Sequence, residues 1–381
     1  MSVRLSPLFA LLPVLWLGAC AAPAPLDPEP VSSAPVTFPA PVLRVAAVGD
    51  VMLGTDFPRN RLPPADGAQL LNDAAPVLRS ADITFGNLEG VLLDGGEPVK
   101  TCKDPAACYL FRSPARYAAH LRDAGFTLMS LANNHARDFG EEGRSASMRI
   151  LREHGIRHTG RHGDVARWQV NGLRVAAIAF APFINSHDML DTARMVGLVN
   201  GLKQAHDIVL VSFHGGAEGE AALHLPFAEE RYYGERRGDV VAFARRAVEA
   251  GADLVIGHGP HVPRAMELYR GRLIAYSLGN FATYLGMNVR GVNGLAPLLE
   301  AQLAADGRFV QGRIHAFRQQ RPRGPVPDVH QEAARLMARL SAEDFVRPSL
   351  AFDRLGYLYR RHEPFLPEAD KTGVGRYNSR F

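Results

Sequence analysis

Residues 253–281, DLVIGHGPHVPRAMELYRGRLIAYSLGNF, contain the clearest pattern of strands and candidate metal ligands in the chain. Two short apolar runs, 254–256 and 273–276, predict two buried strands joined by a loop. The loop carries His258 and His261, with glycine and proline between them to shape a tight turn. Two imidazoles at the end of a buried strand suit one metal ion, and ordinary hydrogen-bonded loop histidines are the alternative for so short a motif.

Polar residues follow the other predicted strands in the same way. Apolar runs at 43–48, 82–85, 126–131, 174–180 and 208–213 predict strands, and helical spacing predicts helices over 68–79, 114–124, 140–154 and 239–250. Continuous apolar strands alternating with helices predict an α/β domain with sheets buried on both faces. Residues 297–304 and 309–317 predict a hairpin closing that domain.

The ends of these strands supply a set of metal-competent side chains. The set, spread over five loops, is Asp50, Glu89, Asn134 with His135, His214, and His258 with His261. The carboxyl ends of strands are where open α/β sheets place their sites. Mixed oxygen and imidazole donors suit Zn, Mn or Fe better than Ca, and a carboxylate could bridge two divalent metal ions.

The ordered motifs GDVMLG, NLEG, LANNHARDFGEEG, SFHGGAE, GHGPH and YSLGNF, between residues 43 and 281, resemble the CapA or poly-gamma-glutamate capsule biosynthesis family. That family belongs to the calcineurin-like metallophosphoesterase superfamily. The resemblance implies a four-layer α-β-β-α sandwich of the metallophosphoesterase type. It also implies roles for the loop residues: metal ligands at Asp50, Glu89, Asn134, His214, His258 and His261, with His135 as the proton donor.

The chain departs from the family pattern at three places. Met52 stands where the superfamily has a histidine, so one metal site is expected to be weak. HGG replaces His-Trp-Gly, and GHGPH replaces Gly-His-His-Pro-His. We therefore expect a more open pocket wall at Gly215 and Gly259.

The N-terminus predicts export and anchoring. A basic start, an apolar run at 5–17 and Leu-Gly-Ala before Cys20 predict a lipoprotein signal peptide over 1–20, with Cys20 lipidated. A plain signal peptide with a chance cysteine is the alternative. Seven prolines predict an extended tether over 21–41, followed by the domain at 42–317 and a C-terminal extension at 318–381. We expect an exported protein, lipid-anchored to a bacterial membrane.

Cys102 and Cys108 are separated by KDPAA. In an exported protein such a pair predicts a local disulfide, and two free thiols are the alternative.

The composition gives no sign of nucleic-acid binding. The net charge is +4, and the sequence has no long basic run.

The first hypothesis for the function is a membrane-anchored, metal-dependent hydrolase acting on an anionic polymer or a peptide, with Asp50 and His135 taking part in the chemistry; a phosphoester is a further possible substrate. The alternatives are a non-catalytic subunit working with capsule synthesis or export proteins, and metal-free proton transfer by Asp50 and a histidine, as in an epimerase.

Overall fold

Two β-sheets lie face to face in the computed structural model, which describes residues 43–100 and 109–361. Strands are numbered along the chain. The ten-stranded sheet contains β1 (Leu43–Met52), β2 (Ile83–Leu88), β5 (Leu128–Ser130), β6 (Arg157–Thr159), β16 (Asn280–Thr283), β17 (Leu295–Leu303), β18 (Phe309–Gln320), β19 (Gly324–Pro327), β20 (Leu350–Phe352) and β21 (Tyr357–Arg360). The seven-stranded sheet contains β7 (Ala166–Val170), β8 (Leu173–Ala181), β9 (His187–Asp188), β10 (Ile208–His214), β13 (Leu254–His258), β14 (Met266–Tyr269) and β15 (Arg272–Ala275). Two small pairs lie outside them: β3 (Val91–Leu92) with β4 (Arg112–Ser113), and β11 (Glu230–Tyr232) with β12 (Glu235–Gly238).

Helices cover the outer faces of both sheets, and the last helix of the described chain packs against strands of both sheets. They are α1 (Ala75–Leu78), α2 (Ala118–Ala124), α3 (Gly140–Glu153), α4 (Thr192–Ala205), α5 (Val240–Ala250) and α6 (Glu332–Glu343). In β1, Val45 faces the second sheet while Ala46 packs among residues of α2 and α3. In β10, Leu210 faces the first sheet while Val211 packs among residues of α4 and α5. This alternation, one side chain to each face, confirms the α-β-β-α sandwich.

Parallel pairing brings the loops that follow these strands to one end of the molecule. In the first sheet β1, β2, β5 and β6 are parallel to one another, and β1 is also parallel to β16. In the second sheet β8, β10, β13 and β15 are parallel. Asp50 lies in register with both Asn87 and Asn280, and His214 lies in register with His258.

Two glycines let the backbone pack closely at this end. A Cβ on Gly49 would lie 1.9 Å from the carbonyl oxygen of Gly279. A Cβ on Gly257 would lie 2.2 Å from the carbonyl oxygen of Tyr276. Any larger residue would therefore push the segment after β15 away from β1 and β13.

Residues 318–361 correct the predicted domain boundary, because they are part of the sandwich. β18 continues to Gln320, and β19 and β21 both pair with it in antiparallel fashion. Leu336 and Met337 of α6 are buried in two different core clusters. β19, with the sequence GPVP, forms an edge strand, where the missing N–H of a proline costs no ladder hydrogen bond.

Two local predictions also need correction. Residues 68–79 form turns and the short α1, with Pro76 in its first turn, because proline cannot sit inside a longer helix. Between the two predicted strands of 253–281 the structure places a third, β14, antiparallel to β15.

The predicted lipid anchor at Cys20, the tether, and the Cys102–Cys108 pair all lie outside the described residues. Among the helices of residues 43–100 and 109–361, none has the length and hydropathy needed to cross a bilayer.

Candidate metal centre

Three buried side chains meet where strands of the two sheets end. Asp50 lies in β1, Glu89 directly follows β2, and His214 is the last residue of β10. One potential ligand atom from each lies within 4.8 Å of the other two. All three residues are at most 1% exposed. Two carboxylates and an imidazole at this spacing are the donor set of a divalent transition metal.

Several polar atoms here have no hydrogen-bond partner within the described part of the chain. They are Oε1 of Glu89, both ring nitrogens of His214 and Oδ1 of Asn134. A buried polar atom without a partner is costly, and most proteins satisfy such atoms. A bound cation would satisfy the two oxygens and the one ring nitrogen of His214 that carries a lone pair, so the residues present fit a metal ion.

Asn87 holds the two carboxylates in place. Its Nδ2 donates to Oδ1 of Asp50 at 2.8 Å and also to Oε2 of Glu89. Its Oδ1 accepts from Nδ2 of Asn133 at 2.9 Å. Asn133 thus has a structural role, and its neighbour Asn134, predicted as a metal ligand, keeps a side-chain oxygen without a hydrogen-bond partner in the described residues.

His261 contacts Asp50 from the opposite side. Its Nδ1 donates to Oδ2 of Asp50 at 2.9 Å and to Oδ1 of Asn280 at 3.0 Å. Its Nε2 faces Oε2 of Glu218 at 3.8 Å. Burial alone would lower the pKa of His261, but the hydrogen bond and charge of Asp50 outweigh it and raise that pKa to about 10. Without a metal ion, His261 is a charged imidazolium at neutral pH.

Burial and neighbouring charges shift the three central groups in different directions. Burial favours the neutral form of Asp50, yet the hydrogen bond and charge of His261 lower its pKa to about 2. Burial, together with the charge of Asp50, raises the pKa of Glu89 well above its usual value. Burial lowers the pKa of His214 well below its usual value. A neutral imidazole with a free lone pair is the form that binds metal.

His258 is not brought into this group, although the sequence predicts it as a ligand. Its Nε2 donates to the carbonyl oxygen of Val48 at 3.1 Å, and Ser212 Oγ donates to its Nδ1 at 3.4 Å. With both ring nitrogens occupied, His258 ties β13 to β1. Its role in the structure is to hold the two sheets together at the site.

His135 forms a pair with Asp138. Nδ1 of His135 donates to Oδ2 of Asp138 at 2.7 Å, and Lys100 Nζ lies 3.2 Å from the other carboxylate oxygen. The Phe111 ring covers the imidazole, with centroids 4.3 Å apart. Burial lowers the pKa of His135, and the charge of Asp138 opposes that only in part. His135 is therefore neutral, with Nε2 available to accept a proton.

Gly215, Gly259 and Met52 are the positions at which the chain departs from the family pattern, and the space beside the two glycines is not open as expected. A Cβ on Gly215 would lie 2.6 Å from the sulfur of Met189, and a Cβ on Gly259 would lie 2.7 Å from the Gly215 carbonyl oxygen. The predicted open wall is therefore wrong, because other atoms fill both positions. Met52 is buried, and its methyl group lies 3.5 Å from the position that a Cβ on Gly286 would take.

Four residues at the site were given no role by the sequence reasoning. They are Asn87, Asp138, Glu218 and Asn280. Each falls inside a quoted motif, namely NLEG, LANNHARDFGEEG, SFHGGAE and YSLGNF. Their presence in these motifs was therefore the one sign that they belong to the site. Residues that orient other side chains follow no fixed spacing in a sequence, so their roles could not be predicted.

Comparisons with known proteins identify a family and several relatives. Residues 44–284 match the family model described as "Bacterial capsule synthesis protein PGA_cap". The chain is similar to the PGA biosynthesis protein CapA of Bacillus subtilis (strain 168), at 27% identity over 266 residues, covering 64% of this chain and 64% of that protein. It is also similar to a probable polyglutamine synthesis accessory protein of Mycobacterium tuberculosis, at 28% identity, covering 58% of this chain and 61% of that protein. The chain thus spans just under two thirds of these relatives' length.

Solved structures of similar shape are distant. A putative 5'-nucleotidase from Staphylococcus aureus, in complex with alpha-ketoglutarate, aligns with a TM-score of 0.42 at 15% identity, over 78% of this chain and 58% of that one. A purple acid phosphatase from yellow lupin aligns with a TM-score of 0.35 at 9% identity, over 72% and 51% of the two chains.

Proposed function

Because the chain belongs to the PGA_cap family of bacterial capsule synthesis proteins, we propose that it is a metal-dependent hydrolase acting on an exported polymer. The substrate class is an anionic, poly-gamma-glutamate-like chain or another peptide, consistent with the names of its relatives. The observation that carries the proposal is the buried group Asp50, Glu89 and His214, with its unsatisfied polar atoms. The proposal includes the lipid anchor at Cys20, which would keep the protein at a membrane surface.

Asp50, Glu89, His214 and Asn134 would hold the ion. A divalent ion bound there would polarise a carbonyl oxygen and lower the pKa of water. Asn87 fixes the two carboxylates, so the donor set is organised before the ion arrives.

His135 moves the proton in this proposal. Its neutral ring donates Nδ1–H to Asp138, which leaves Nε2 to take a proton from water as the water oxygen adds to the carbonyl carbon. The same proton then passes to the leaving nitrogen as the carbon–nitrogen bond breaks. Asp138 stabilises the imidazolium formed between the two transfers.

The test compares the parent with His135→Gln. Both purified proteins are assayed for release of new amino groups from a gamma-linked glutamate oligomer, with a phosphate ester as second substrate. We expect turnover by the parent, and a loss of about 10²- to 10⁴-fold in His135→Gln at unchanged metal content. A parent that holds metal but cleaves neither substrate would reject the hydrolase and favour an assembly subunit.

A further inference from the structure

We propose that Glu218 and Arg237 form an outer support of the metal centre, in which Arg237 holds the Glu218 carboxylate beside His261. Both are positioning residues, since neither contacts the orphaned ligand atoms. The inference rests on the proposed function only in requiring that the site binds a metal ion. It assigns a role to the turn after β10 and to the β11–β12 hairpin, which the metal-ligand assignment leaves unexplained.

The turn that carries Glu218 is fixed by its backbone on both sides. Gly215 N donates to the His258 carbonyl, and Gly219 N donates to the Pro260 carbonyl, each at 2.9 Å. These bonds tie the turn to the loop that carries His261. The Glu218 side chain is only 16% exposed, so its carboxylate has little freedom to swing into solvent.

Arg237 reaches this carboxylate from the hairpin. Its Nη1 donates to Oε1 of Glu218 at 2.9 Å, and its Nη2 donates to Oε2 of Glu235 at 3.0 Å. The guanidinium lies 5.2 Å from the ring centroid of Phe183 and 5.4 Å from that of Tyr232. With the Arg237 side chain 4% exposed, these contacts hold a buried charge in one orientation.

The Phe183 ring connects the same arginine to a central ligand. Its centroid lies 5.9 Å from that of His214, in an edge-on arrangement. Arg237 thus supports two histidines of the site: His261 through Glu218, and His214 through Phe183.

The hairpin is anchored well enough to serve as a support. Gly216 N donates to the Arg237 carbonyl at 2.9 Å. At the other strand, the Glu230 carboxylate accepts two hydrogen bonds from the buried guanidinium of Arg264, at 2.9 and 2.7 Å. Tyr233 and Gly234 form the two-residue turn with φ of 46° and 82°, the left-handed geometry that matches the twist of paired strands.

The arrangement leaves His261 held at both ring nitrogens. Asp50 and Asn280 accept from Nδ1, and Glu218 faces Nε2. His261 is itself a partner of the ligand Asp50, so Glu218 helps to orient that ligand through His261. Removing an outer partner of a metal ligand typically lowers metal affinity by roughly 10- to 100-fold. We expect a loss in that range for either member of the pair.

The experiment measures Zn²⁺ affinity of the purified full chain by competition with a chromogenic chelator, together with the melting temperature of the metal-free protein. The variants are Glu218→Gln, which keeps the side chain's shape, Arg237→Met and the double variant. The matched control is Arg236→Met, because Arg236 lies on the same hairpin but is 55% exposed and pairs with Glu229.

We expect both single variants to lose roughly 10- to 100-fold in affinity. The double variant should lose no more than the weaker-binding single variant, because the two residues act as one unit. Arg236→Met should bind like the parent.

Two results would decide against the proposal while leaving the proposed function intact: a Glu218→Gln variant that binds Zn²⁺ as tightly as a metal-binding parent, or an equal loss in Arg236→Met. A parent that binds no Zn²⁺ would instead overturn both proposals. If Arg237→Met does not fold, Glu218→Gln alone decides.

Discussion

Arg264→Met should be among the most destabilising substitutions outside the metal ligands. Arg264 is 0% exposed, and its guanidinium donates to both carboxylate oxygens of Glu230 and to the carbonyl oxygens of Ala217 and Ala222. Methionine fills much of the same volume but leaves the Glu230 carboxylate buried with Ala217 N as its remaining donor. Breaking one side of a buried ion pair costs about 3–5 kcal/mol.

That loss of stability predicts a measurable fall in melting temperature. For a domain of roughly 300 residues it lowers the melting temperature by about 5–8 °C. Differential scanning calorimetry of metal-free protein measures the shift, with Arg174→Met as a control because Arg174 makes an exposed pair with Asp207. The double variant Arg264→Met/Glu230→Met should recover much of the loss, since no buried charge is then left unpaired. A single variant that melts within about 1 °C of the parent, or a double variant that is worse, would refute the reasoning.

Three further predictions concern the site, the lipid anchor and the internal cysteine pair. First, His261 has a pKa of about 10, raised above its ordinary 6.5, so its contribution to stability is complete below pH 6.5 and is lost as pH rises towards 10. Metal-free parent should therefore lose melting temperature over that range more steeply than His261→Gln, and equal slopes would contradict this. Second, Cys20→Ser should release the protein from the membrane fraction; unchanged processing and sedimentation would reject the anchor. Third, non-reducing peptide mapping should find Cys102 joined to Cys108, whereas two alkylatable thiols in exported protein would exclude the disulfide.

Much of the fold could be predicted because hydrophobic periodicity is a local property. The runs around Val45, Leu210 and Val255 are buried on both faces, so they are apolar throughout and read as strands. The α5 helix could also be predicted from the sequence, since Asp239 caps its start and Gly251 ends it in the left-handed conformation.

Other elements could not be read locally, because tertiary contacts decide them. Residues 321–327, RPRGPVP, contain three prolines and a glycine, which argue against a regular element, yet the prolines fit an edge strand that only the neighbouring β18 makes possible. The α4 helix was missed, since Gly197 and Gly201 weaken its helical signal.

At the site, too, some features could be predicted from the local sequence and others depend on tertiary contacts. Asp50, Glu89 and His214 each come at the end of an apolar run in a parallel strand, so their meeting could be predicted from topology alone. His258 follows the same rule and yet bonds to the Val48 carbonyl, because the direction of a ring depends on the sheet facing it. Asn87 and Glu218 act through other side chains, which sequence spacing does not reveal.

The metal content of the purified protein tests the central claim most directly. Protein prepared without chelator is loaded with Zn²⁺ or Mn²⁺, dialysed and analysed by inductively coupled plasma mass spectrometry, alongside His214→Ala, Glu89→Gln and His135→Gln. We expect at least one equivalent in the parent and in His135→Gln, and a large loss in the two ligand variants, because Glu89 and His214 supply three of the four orphaned atoms. A parent with no bound metal under these replete conditions, or ligand variants that retain the parent's content, would contradict the account.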